Sequence, residues 1–169
     1  MPKSLMQDAI DHHVWATLRT IDACLPLTDE QLATTVPGTY GSILDTVRHL
    51  VGADASYLFA LTRGATPVIE EDEMDLAELW TAMERHGAAW TSFLAENPDP
   101  DEVVIRRRDD GSETHAPIGI RLAQAVHHGT DHRSQVATAL TSLAIEPPLI
   151  DLWDYAAEVD RVVEIPPSR

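Results

Sequence analysis

The sequence has little cysteine, few cations and no long apolar run, and each shortage excludes a class of protein. The single cysteine, Cys24, leaves no internal disulfide to form. That fits a reducing cytoplasm, which is the expected location. Only 12 Lys and Arg stand against 28 Asp and Glu, a formal net charge of −16. A body that acidic repels phosphate backbones and anionic membranes, so no nucleic acid is expected as a partner. The one basic patch, Arg106-Arg107-Arg108, is followed directly by Asp109 and Asp110. No segment has the length and apolarity to span a bilayer, and the N-terminus lacks an apolar run of signal-peptide length, so no membrane is expected either. There is no repeat of fixed period and no low-complexity tract.

What remains is a pattern of amphipathic helices. A length of 169 residues fits one domain with a sizeable core, spanning 1–169 with a frayed tail at 165–169. Apolar residues recur at steps of three and four from Met6 to Leu25, which predicts a first helix over 4–25, capped by Ser4 and stopped by Pro26. A connector follows, with an acidic turn at 28–31 and the punctuation of Pro37, Gly38 and Gly41. Ser42 and Asp45 resemble a capping box opening a second helix, which Gly64 closes. The run Glu70-Glu71-Asp72-Glu73 reads as a solvated loop. A third helix is predicted from Leu76 to about Leu94, with Asp75 as its cap. Residues 102–117 have strand character around a turn at 109–112, which predicts a small hairpin or extended loop crossing one end. A fourth helix runs from about Ile118 to Ser142. A short terminal helix at 149–160 presents Leu149, Leu152, Trp153 and Ala156 on one side. The fold class is therefore all-α, a four-helix bundle.

The chemistry concentrates in the fourth helix. His128 and His132 lie one turn apart and leave the same face, where two imidazoles can grip one divalent metal. That face continues through Ala125 and Val136 and is apolar, so the same pair also reads as core histidines with satisfied ring nitrogens. A third ligand must come from elsewhere. His49 is one candidate, at the edge of the second helix's apolar face beside Thr46 and Ala53. Asp54 falls near the middle of that face, where a carboxylate is costly unless paired. It is a candidate to orient a histidine or to act as a base. Arg133 is a candidate to steer an anionic substrate. His12, His13 and Trp15 lie off their helix's main stripe and read as rim residues, and His86 reads as structural. His115 sits in the hairpin segment, and His127 points about 100° away from His128.

Three stretches, taken together, resemble the DinB-like family. His13-Val14-Trp15-Ala16 is similar to its aromatic-rich first helix. Gly41-Ser42-Ile43-Leu44-Asp45-Thr46-Val47-Arg48-His49-Leu50 is similar to the segment ending in its first ligand histidine. His128-Gly129-Thr130-Asp131-His132-Arg133-Ser134-Gln135 is similar to its two-histidine segment, which often closes His-Arg-Gly-Gln; Ser134 stands here where Gly is common. The ending at 146–152 is also similar. The resemblance implies a four-helix bundle holding a divalent metal (zinc or nickel, with iron or manganese as alternatives) on His49, His128 and His132. It further implies a homodimer and a small-molecule substrate. Members of the wider superfamily use low-molecular-weight thiols such as mycothiol or bacillithiol, so a thiol S-transferase or hydrolase is the leading expectation. A metal-binding stress protein without turnover and a metal-free helical interaction module are the alternatives. Trp15, Trp80, Trp90 and Trp153 are the candidates for an exposed apolar dimer face.

Overall fold

The apolar steps in the sequence become six α-helices and one hairpin in a computed structural model that describes residues 6–108 and 110–165. They are α1 (Gln7–Cys24), α2 (Asp29–Leu32), α3 (Ile43–Leu61), α4 (Leu76–Ala95), α5 (Ile118–Ser142) and α6 (Leu152–Glu158). Strands β1 (Val103–Arg107) and β2 (Glu113–Pro117) pair antiparallel between α4 and α5. The four long helices pack α1 on α4 and α5, and α3 on α4 and α5. The Ser4 cap lies outside the described residues, and α1 begins at Gln7 with no side-chain cap bond.

Local chemistry fixes the other starts. Ser42 Oγ accepts from the Asp45 N–H at 3.1 Å, and Asp45 Oδ2 accepts from the Ser42 N–H at 3.2 Å, so Asp closes the capping box. Asp75 and Glu78 do the same for α4. Gly64, at φ +89°, ends the α3 segment with its N–H on the Phe59 carbonyl. The acidic turn expected at 28–31 forms α2, capped by Thr28. Part of the acidic loop, Glu71–Glu73, is a single 3-10 turn packed on α3.

The core is divided into two apolar clusters by a polar layer. Ile21, Val51, Met83 and Val136 belong to one cluster, and Ile10, Leu58, Trp90 and Ala125 to the other. Between them along the helices lie His13 on α1, Asp54 on α3, His86 on α4 and Arg133 on α5. Each long helix thus contributes a charged or imidazole side chain to the middle of the bundle.

Three sequence expectations change here. His13 is not a rim residue but is 1% exposed, because the α1 face it occupies is covered by both α4 and α5. Trp90 is fully buried rather than part of an exposed face. The terminal helix is shorter than 149–160, and it docks through buried Tyr155 while Leu149, Leu152 and Trp153 stay exposed. His12 and Trp15 do form the rim: His12 Nε2 donates to the Ile150 carbonyl at 2.9 Å, and Trp15 Nε1 donates to Glu158 at 3.0 Å.

Candidate metal centre

Three imidazoles meet between α3 and α5. His49 Nε2 lies 3.2 Å from His128 Nε2, and His128 Nε2 lies 3.1 Å from His132 Nε2. The helical spacing places His128 and His132 one turn apart, and the α3–α5 packing brings His49 across from them. Ligand atoms about 2.0–2.1 Å from a tetrahedral zinc would be separated by about 3.3 Å, so the donor set fits a divalent ion. Among the described residues this is the group of histidine, cysteine and carboxylate side chains placed to hold one.

Groups around the triad aim those nitrogens. His132 Nδ1 is 2.9 Å from Gln135 Oε1, which also accepts the Tyr40 N–H at 3.0 Å. A carbonyl oxygen only accepts, so His132 carries its proton on Nδ1 and presents a lone pair at Nε2. The Tyr40 ring stacks on His49 with centroids 4.0 Å apart and 7° between planes, and it meets His132 edge-on. On the other ring nitrogen, His49 Nδ1 lies 3.9 Å from Glu71 Oε1. Glu71 reaches that place only because residue 52 is glycine: a Cβ there would fall 1.4 Å from Glu71 Oε2. A cavity of about 300 Å³ opens beside His49, lined by Tyr40, Asp45, Glu71 and Asp72.

Electrostatics favour neutral imidazoles. Burial pushes His128 down to about 4, with repulsion from His132 and His49 adding to it. Burial, then His132, lowers His49. Both groups therefore keep a free lone pair across the neutral range. Burial, then Asp72 and Glu70, raises Glu71.

Asp54 and Arg133 lie in the polar layer rather than beside the three Nε2 atoms. Arg133 Nη1 donates to His13 Nδ1 at 3.0 Å, and a guanidinium cannot accept, so His13 is protonated on Nε2. His13 Nε2 then donates to Asp54 Oδ1 at 3.0 Å. Trp90 Nε1 donates to both Asp54 oxygens, at 3.1 and 3.2 Å. His86 Nδ1 is 3.0 Å from Oδ2, without hydrogen-bond alignment. Burial alone would raise the Asp54 carboxyl, but the imidazole contacts of His13 and His86 outweigh it and hold it below the usual carboxylate range. Arg133 is 2% exposed, and it also donates to Thr17 Oγ1 at 3.1 Å. Burial lowers its pKa to about 10. Ser134 faces solvent.

Sequence reasoning missed Tyr40, Glu71 and Gln135 and placed His13 on the rim. Two glycines inside helices were the available signals. Gly costs about 1 kcal/mol against Ala in a helix interior, so Gly52 and Gly129 each mark a close approach. A Cβ on Gly129 would lie 2.4 Å from the His13 ring. His115 bonds Glu113 on the exposed hairpin, away from the triad's contacts, and His127 faces solvent.

No curated protein matches the sequence. The DinB family model matches residues 1–162. With helical bundle, histidine cluster and family match in agreement, the chain belongs to the DinB family.

Proposed function

We propose that the protein is a metal-dependent enzyme of thiol S-transferase or hydrolase type acting on a small molecule. The observation that carries this reading is the convergence of three Nε2 atoms at 3.1–3.2 Å contacts. His49, His128 and His132 would hold the ion, zinc or nickel by donor type. Three protein ligands leave a position for a thiol or water, whose pKa the ion would lower. Gln135 fixes the tautomer of His132, and Tyr40 restrains His49 by stacking. Asp54 and Arg133 act as positioning residues: through His13 they hold α1, α3 and α5 in register, rather than touching substrate. The withdrawal of Asp54 from the triad favours the second reading, a metal-binding protein without turnover.

Metal content of the untagged protein by plasma mass spectrometry is the deciding test. About one divalent ion per chain in the wild type and none in His128→Ala supports the site. No ion in either after loading with zinc and nickel removes it. Thiol-dependent consumption of electrophiles by the loaded wild type then separates enzyme from binding protein.

A further inference from the structure

The basic patch at 106–108 is split by the strand it lies on. Alternation along β1 turns Arg107 outward, where it pairs with Glu113, and leaves Val104 and Arg106 on the face that meets the bundle, while Arg108 follows the strand's end and is exposed. Arg106 lies over the Phe59 ring of α3 at 4.7 Å. Arg108 Nη1 donates to Thr114 Oγ1 at 3.0 Å. From α5, Arg121 Nη2 donates to the Val104 and Thr114 carbonyls at 3.0 Å each, tying the hairpin down. Arg121 is 8% exposed, and its Nε has no partner. Among the described residues no carboxylate stands within ion-pair distance of Arg106 or Arg121, although Asp110 at the turn feels the charge of Arg108. Arg106 and Arg108 both act on the charge of Arg121, so three guanidiniums gather here in a chain of net charge −16, and among the described residues Arg106 and Arg121 have no paired acid.

This cluster is in line with the triad. Arg121 and His128 are two turns apart on one face of α5, about 10 Å along the axis. Tyr57 on α3 stands between them, edge-on to His128 at 5.9 Å, with its hydroxyl accepting from Gln124 Nε2 at 3.4 Å. At the opposite end, beside His49, the walls are Asp45, Glu71 and Asp72. The α3–α5 seam therefore runs from an acidic end, past the three histidines, to a basic end.

We propose that Arg106, Arg108 and Arg121 form a subsite for the anionic end of the substrate, a carboxylate or phosphate carried on a chain that reaches from the hairpin to the histidine triad. The proposal rests on the metal-site reading above. Guanidiniums suit such an end because they pair with it in a forked geometry. Arg133, buried in the polar layer, is not available for this contact.

The test uses the full chain loaded with cobalt(II) and reads the thiolate-to-cobalt absorbance during titration. The probes are mercaptohexanoate and mercaptohexanol, equal in length and differing in end charge. The acid is expected to bind about tenfold tighter, and the Arg106→Ala/Arg108→Ala variant is expected to lose that preference while binding the alcohol unchanged. Arg121→Lys keeps the charge and should retain part of it. Equal affinities in the wild type, or a preference that survives in the double variant, overturns the subsite but leaves the metal site standing. Cobalt uptake with no thiolate band overturns the subsite and the thiol reading together. No cobalt uptake at all overturns the metal-site reading and the subsite with it.

Discussion

At the residue scale, a neutral His13 between Arg133 and Asp54 lets one buried cation and one buried anion satisfy each other through an imidazole. Removing one partner of such an arrangement leaves the other charge uncompensated. Asp54→Asn is therefore expected to lower unfolding stability by about 3 kcal/mol, read from urea denaturation of the metal-free protein. A change below about 0.5 kcal/mol would mean that the layer does not bind the helices together. His128 supplies a pH test. Its folded pKa, about 4, lies below the unfolded value of about 6.5. Between these values the unfolded chain takes up a proton that the folded chain refuses, so stability falls as pH drops from about 6.5 and levels off near 4. The urea midpoint of the metal-free wild type should fall over that window more steeply than that of His128→Gln.

At the element scale, the seam between α1 and α5 depends on the absence of a side chain at residue 129. A Cβ there would meet the His13 ring at 2.4 Å and Arg133 Nη1 at 2.7 Å. Gly129→Ala would otherwise favour the helix, yet it is expected to cost about 1–3 kcal/mol in urea denaturation and to weaken metal retention, since His128 is its neighbour. A stabilising effect would show that the helices slide apart freely. The α3 cap behaves more locally: Ser42→Ala removes the Asp45 N–H acceptor and should cost about 1 kcal/mol. Cap, turn and hydrophobic period are short-range chemistry, which is why the second helix was predicted to open at Ser42 with Asp45 closing its box. The 3-10 turn carrying Glu71 was not legible, because an acidic run reads as solvated unless one knows that Gly52 leaves room for a carboxylate.

At the scale of the whole molecule, the most exposed large apolar side chains among the described residues lie in the C-terminal segment. Leu149 is 72% exposed and Trp153 71%, while Trp15 and Trp80 are only partly exposed. We propose these two as the centre of a homodimer contact. Analytical ultracentrifugation should find a dimer for the wild type and a monomer for Leu149→Asp/Trp153→Asp; a monomeric wild type would refute the contact. No helix among the described residues is long and apolar enough to cross a membrane.

The sequence by itself determined the helical class and the pairing of His128 with His132, because both follow from periods of three and four along one chain. It also determined the net charge that makes a local arginine cluster meaningful. Only the tertiary structure decided which residues share a site. Tyr40 reaches His49, and Gln135 bridges to Tyr40, across separations that no helical period encodes. The same holds for Asp54. Its position in the middle of an apolar face was visible as a cost, but its partners His13, His86 and Trp90 come from two other helices. Packing selects such partners because a buried charge must be met wherever the fold brings a donor to it.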